Sequence, residues 1–272
     1  MISVIICSSV IDFINSFNQD KRFKIEAVLV EKKFYANDLI NFSNKNNFKL
    51  FPVKNNLEIS SNLKKLNSNL LVMFGFGIIL KSSILGIIDC INLHMGILPF
   101  YRGRHVVFHA LMNEEAEIGM TLHKVDGNID TGEIIDIFKV CNSEYIHGNY
   151  FIDHISSFET KILSSIYSYR KFSNMNKIEN KIGCYYPRIT KNDLTFKLED
   201  DDINKLLKLN KIQQKSGFYL KYKQYEFKIR NLRKKEEFID FSGIKINYDK
   251  LNNPISFTLS NTFFSFDLMN YE

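Results

Sequence analysis

Four short apolar runs near the N-terminus, Ile2–Cys7, Ile25–Val30, Leu70–Phe74 and Cys90–Leu93, constrain the fold of this chain most strongly. Each is continuous rather than alternating, so each needs cover on both faces. Between them, Ile11–Phe17, Asn56–Leu66 and Ser82–Ile88 suit helices, and Phe48–Val53 adds another strand. Strands alternating with amphipathic helices predict an α/β fold, a Rossmann-like doubly wound, mostly parallel sheet. Such sheets bind ligands beyond their C-terminal strand ends. Further on, Gly119–Val125 and Glu133–Val140 read as strands and Tyr150–Tyr169 as a long amphipathic helix.

The 272 residues exceed one ordinary domain. Composition shifts at Tyr185-Tyr186-Pro187-Arg188, and the boundary is expected between Pro187 and Lys191. Residues 1–190 then form the α/β domain and 191–272 a smaller, β-rich C-terminal domain. The latter reads as a charged stretch, Lys197–Asp202, a helix over Asp202–Asn210, and a hairpin of Phe218–Tyr222 and Tyr225–Arg230 turned at Lys223-Gln224. Ile244–Tyr248, Ile255–Leu259 and Phe263–Leu268 would extend it.

Hydrophobic residues at 45% and charged residues at 24% argue against disorder, collagen and a membrane bundle. The apolar run Leu70–Leu80 is broken by Gly75 and Gly77 and stopped by Lys81, short of the roughly 20 residues a bilayer span needs. The first residues lack a basic n-region and a small-residue cleavage site, so they read as a strand and the cytoplasm is the expected location. Cys7, Cys90, Cys141 and Cys184 have no metal or disulfide spacing, and each is expected to fill a core position. The net charge of +6 is unevenly placed: Lys211–Lys235 holds nine basic residues against Glu226 alone. The rest of the chain is slightly acidic.

Two segments carry chemistry. In Asn92-Leu93-His94, residues two apart on a strand share a face at its C-terminal end. An amide there can donate to a developing oxyanion, and an imidazole can take or return a proton near neutral pH. Around Asp130, thirty-six residues after His94, the turn-rich segment Asp126-Gly127-Asn128-Ile129-Asp130-Thr131-Gly132 offers two carboxylates. A carboxylate beside a histidine orients the ring and favours its charged form. Acyl transfer is the reaction class these groups suit.

The two segments together resemble the N10-formyltetrahydrofolate-dependent formyltransferase family. The resemblance rests on Asn92-Leu93-His94, Leu98-Pro99-Phe100-Tyr101-Arg102-Gly103 and Asp130-Thr131-Gly132, in order and at family spacing, and runs from about Met1 to Tyr169, then weakly to Tyr186–Thr190. Met95 and Gly96 depart from it, where many members have Pro or Ala and Ser. The resemblance implies a catalytic triad of Asn92, His94 and Asp130. In it Asn92 and protonated His94 stabilise the oxyanion of a tetrahedral intermediate, and His94, Asp130 and a water pass the amine proton to the departing folate nitrogen. It further implies N10-formyltetrahydrofolate as cosubstrate and no metal. The pterin would lie against Met73, Phe74, Gly75, Phe76, Gly77 and Ile78 and against Val125, Asp126, Gly127 and Ile129.

For the acceptor, Tyr101-Arg102-Gly103-Arg104-His105 looks most like members that formylate nucleotide-linked amino sugars, which would put these residues near the substrate. A dTDP-3-amino or dTDP-4-amino dideoxyglucose is then expected, with a product destined for lipopolysaccharide or capsule. Methionyl-tRNA formyltransferase and a non-catalytic binding module are the alternatives. The basic strip is the main argument for tRNA. Its alternation instead suits a solvated face or a dimer-forming hairpin, so a homodimer through the C-terminal domain, with no nucleic acid or membrane partner, is expected. Asp126 reads first as a turn carboxylate, and Tyr185 and Tyr186 are candidates to flank a base. His105 and His109 would share a helix face, with His123 nearby, but a metal pair there lacks a carboxylate or Cys at ligand spacing.

Overall fold

The computed structural model describes residues 1–142, 150–172, 178–180, 182–199, 202–213, 216–235, 244–251, 253–259 and 262–269, without the side chains of 150–157, 235 and 255. Lys215 of the basic strip and two acidic residues of the Lys197–Asp202 stretch lie outside the described residues. The chain forms two compact units: Met1–Val107 with Glu117–Val140 and Ile152–Tyr186, and Phe108–Ala116 with Cys141–Phe151 and Pro187–Glu272.

In chain order the first half contains β1 (Ile2–Cys7), α1 (Ile11–Gln19), β2 (Phe23–Glu31), α2 (Asn37–Lys45), β3 (Lys49–Val53), α3 (Asn56–Leu63), β4 (Leu70–Phe74), α4 (Ser82–Leu85) and β5 (Asp89–His94). Then come β6 (Arg102–Gly103), α5 (Val106–Met112), β7 (Glu117–Lys124), β8 (Ile134–Cys141), α6 (Tyr150–Lys171) and β9 (Tyr185–Tyr186). Seven strands form one sheet in the order β3-β2-β1-β4-β5-β7-β8. The pairings from β3 through β5 are parallel, and β5 pairs antiparallel with β7. Every residue of β4 is buried, as a strand covered on both faces requires. One layer of cover is apolar, with Ile59 and Leu63 of α3 and Ile84 of α4 packed over Ile5, Leu29, Leu71 and Met73.

Sequence periodicity did not indicate α2, because its Asn-rich stretch buries only Leu39 and Ser43. Two expectations are corrected. Cys7 and Cys90 are buried, but Cys141 and Cys184 are exposed, since each stands outside the apolar runs that fill the sheet. His105 does not share a helix face with His109, because it precedes α5 with a left-handed φ of 52°.

The second unit is built on β10 (Thr195–Lys197), α7 (Ile203–Ile212), β11 (Phe218–Tyr222), β12 (Tyr225–Lys235), β13 (Ile244–Tyr248), β14 (Pro254–Leu259) and β15 (Thr262–Leu268). Its sheet runs β10-β11-β12-β15-β14-β13. Tyr222 pairs with Tyr225 across the expected two-residue turn, where Lys223 takes a φ of 53°. Leu206 and Leu209 of α7 share a core with Phe196, Phe218, Ile229, Phe257 and Phe264. Phe257 and Phe264 stack with ring centroids 5.0 Å apart and are fully buried. Phe257→Ala is expected to lower unfolding stability by about 3–5 kcal/mol in a urea melt. Among the described residues, no helix is long and apolar enough to cross a membrane.

Candidate active site

The parallel strands of the first unit end at a cavity of about 490 Å³, within the usual range for small-molecule sites. Asn92 and His94, two apart at the end of β5, both line it. Asp130 reaches the same wall from the loop between β7 and β8. His94 Nδ1 stands 3.5 Å from Asp130 Oδ2. On the other side of the ring, Nε2 lies 2.6 Å from the Tyr101 carbonyl oxygen, which can only accept. That contact puts a proton on Nε2 and leaves Nδ1 to gain or lose one. Gly96 makes the approach possible, because a Cβ there would sit 2.8 Å from Nε2 and 2.7 Å from the Tyr101 oxygen.

Burial holds the His94 pKa below its ordinary value, against the opposing pull of Asp130 and the Tyr101 bond. The ring is therefore neutral near pH 7 and able to accept a proton. Asp130 has the opposite balance. Burial raises its pKa, but the contact with His123, the pull of His94 when protonated and the Gly103 amide together bring it below the ordinary carboxylate value. The Gly103 N–H donates to Asp130 Oδ2 at 2.9 Å. Asp130 has a φ of 52°, a left-handed conformation that costs a non-glycine residue energy. Asn180 holds that backbone in place by donating to the carbonyls of Asp130 and Gly132, both at 2.9 Å.

His123 carries a role that the sequence did not reveal. The β5–β7 register sets it opposite Asn92. Its Nδ1 donates to the Lys124 carbonyl at 2.7 Å, which turns Nε2 toward Asn92 and Asp130. Asn92 Nδ2 lies 3.2 Å from that nitrogen, which orients the amide and leaves its second N–H for a ligand. The same Nε2 is 3.5 Å from Asp130 Oδ1. Thr121, opposite His94, braces the following turn by donating to the Gly96 carbonyl at 2.7 Å and accepting from the Leu98 amide at 3.1 Å.

Of the residues expected at the folate, Met73, Gly75, Phe76, Gly77, Ile78, Val125, Asp126 and Ile129 line the cavity. Phe74 and Gly127 do not. Phe74 alternates to the opposite face of β4, where its ring meets that of Phe13 at 4.8 Å. Asp126 shapes its own turn by accepting from the Asn128 amide at 3.0 Å and the Thr131 hydroxyl at 2.7 Å. Of the residues expected at the acceptor, Gly103, Arg104 and His105 line the cavity, and Tyr101 and Arg102 do not. The Tyr101 ring is buried and stacks on Tyr186 at 4.9 Å. Arg102 Nη2 donates to Asn180 Oδ1 at 2.8 Å. Tyr185 joins the lining because β9 pairs parallel with β6. Glu31, Lys33 and Phe34, at and just beyond the end of β2, line it as well, and no motif had marked them.

Residues 18–142 match the formyl transferase family. A methionyl-tRNA formyltransferase of Caldanaerobacter subterraneus subsp. tengcongensis is 32% identical over 143 residues, covering 51% of this chain and 46% of that protein. The chain spans about half the length, or less, of the first curated relatives it matches. Among solved structures, WlaRD, a sugar 3N-formyl transferase with dTDP and 5-N-formyl-THF, aligns over 100% of this chain and 99% of its own, with a TM-score of 0.70 and 18% identity. An N-formyltransferase from Helicobacter canadensis in complex with folinic acid and dTDP-3-aminofucose aligns over 99% and 100%, with a TM-score of 0.67 and 18% identity. Asn92, His94 and Asp130 thus lie within the stretch that matches the formyl transferase family, set in a fold shared with solved formyltransferases.

Proposed function

We propose that this protein transfers a formyl group from N10-formyltetrahydrofolate to the amine of a nucleotide-linked amino-dideoxysugar. The reading is carried by the meeting of Asn92, His94 and Asp130 on one wall of the cavity. The folate supplies the formyl group, and the loop from Val125 to Ile129 with the backbone of Gly75–Ile78 would hold it. Asn92, aligned by His123, donates an N–H to the oxygen on which charge develops. His94 takes the acceptor's proton at Nδ1, Asp130 stabilises the charged ring, and the proton passes on to the folate N10 as its bond to the formyl carbon breaks. Asp130→Asn is expected to lower kcat/KM about 10²-fold or more. Because Asp130 raises the pKa of His94, its removal also moves the acid limb of the pH–rate profile to lower pH. A profile identical to wild type would count against this pairing.

Solved sugar N-formyltransferases that align along nearly their whole length support the sugar acceptor. The curated relatives support initiator tRNA as the second reading. Against tRNA, the basic strip is in part neutralised within its own unit. Arg233 of the strip pairs with Asp267 at 3.2 Å, while Glu226 within the strip is taken up by Lys191 from outside it. Ile229 and Leu232 between these charges are buried, so β12 behaves as a half-buried surface strand. The deciding experiment incubates the protein with N10-formyltetrahydrofolate and dTDP-linked 3-amino or 4-amino dideoxysugars, or with charged initiator tRNA. Formylation of a sugar is expected. Formylation of Met-tRNA alone would replace this reading with the second.

A further inference from the structure

The outer part of the cavity holds a charge arrangement that formyl transfer does not use. Glu31 sits at the end of β2 with its side chain only 12% exposed. One carboxylate oxygen accepts from the Gly77 N–H at 2.7 Å, and the other pairs with Lys33 Nζ at 3.0 Å. Lys33 is 64% exposed and rests its ammonium over the Phe34 ring, 4.8 Å from the centroid. On the other side of the same glycine, Arg104 Nη2 donates to the Gly77 carbonyl at 3.3 Å. Arg104 directly, and Lys33 through Glu31, are thereby gathered at one residue of the β4–α4 loop.

The anions near them are not equivalent. Asp126 is engaged by Asn128 and Thr131, and Asp130 by Gly103 and the histidines. Glu31 alone among the lining carboxylates is paired with a lysine, at 3.0 Å. Its bond to Gly77 needs only an oxygen acceptor, which a neutral amide would supply. The negative charge of Glu31 therefore serves to hold Lys33, and it opposes any anion entering beside Lys33 and Arg104.

We propose that Lys33 and Arg104 form a diphosphate-binding pair for the acceptor, with Glu31 keeping Lys33 in place until the nucleotide displaces it. Two cationic donors match the two ionised phosphates of a nucleoside diphosphate, and the guanidinium can engage phosphate oxygens in a fork. Two cations gathered at the mouth of one cavity fit a small anion better than a nucleic-acid backbone, which needs cations tracked along a surface. The inference rests on the nucleotide-sugar reading above and assigns residues outside the motif on which that reading stands.

The test measures binding of dTDP, UDP and dTMP to the whole protein by calorimetry, with thermal unfolding to verify that each variant is folded. Lys33→Ala should weaken dTDP binding about tenfold and shrink the preference for dTDP over dTMP. Glu31→Gln keeps the bond to Gly77 but removes the competing charge, so it should tighten dTDP binding by about threefold. A structural role for either residue would not give these opposite signs. Wild-type affinity in Lys33→Ala, weaker binding in Glu31→Gln, or no binding of dTDP and UDP by the wild type would each overturn the proposal. If the variants behave as expected but no amino-sugar nucleotide is formylated, the pair stands and the acceptor reading falls. If sugars are formylated and both variants bind like wild type, this proposal alone falls.

Discussion

Replacing His94 with alanine is expected to lower kcat/KM for formyl transfer by about 10³-fold while leaving the affinity for dTDP near that of wild type. The size of the loss follows from where the ring stands. Tyr101 claims Nε2, and Asp130 faces Nδ1. His123 cannot substitute, because its Nδ1 is spent on the Lys124 carbonyl and its Nε2 is turned to Asn92 and to the other carboxylate oxygen. In the wild type the reactive form is the neutral ring. Burial depresses its pKa, so the acid limb of the pH–rate profile should have its midpoint below the ordinary histidine value of 6.5. Activity should be level from that limb through neutrality. Turnover by His94→Ala close to that of wild type would remove the proton-transfer role.

Gly103→Ala is expected to cost about 3 kcal/mol of unfolding stability and more than about 10² in kcat/KM. Two independent facts combine at this position. Its φ of 103° is strained for any residue with a side chain, and an added Cβ would lie 2.2 Å from the Tyr186 carbonyl oxygen and 2.9 Å from the Tyr185 ring. Relief of that clash separates β6 from β9 and draws the Gly103 N–H away from Asp130. Stability and catalysis should therefore fall together, unlike in His94→Ala. Gly86→Ala is the comparison, since its Cβ would make only an ordinary 3.4 Å contact with the Ser82 carbonyl. Equal urea midpoints for the two alanine variants would show that the β6–β9 pairing does not depend on glycine.

The readability of this chain from sequence varies with the range of the interactions involved. Buried parallel strands announce themselves as continuous apolar runs, and β1, β4 and β5 begin or end within a residue of where those runs do. Helix α2 escaped because its burial is slight, with Leu39 and Ser43 alone enclosed. Asn92 and His94 were readable because two-residue spacing at a strand end is a local property. Tyr101 and Arg102 stand in the same motif yet face away from the cavity, toward Tyr186 and Asn180. His123 was visible only as a nearby histidine, since the antiparallel β5–β7 register that brings it to Asn92 is not encoded in either segment alone.

By itself the sequence determined the α/β class, the turn after β5, the acidic loop three dozen residues later and the concentration of positive charge in one C-terminal strip. These depend on periodicity and spacing along the chain, which each segment carries regardless of its surroundings. Tertiary structure decided which side chains share the cavity, which nitrogen of His94 is free, and that Glu31, Lys33 and Arg104 meet at Gly77. Those outcomes follow from strand order and register in the sheet, where residues far apart in sequence are brought within hydrogen-bonding distance by the packing of the whole unit.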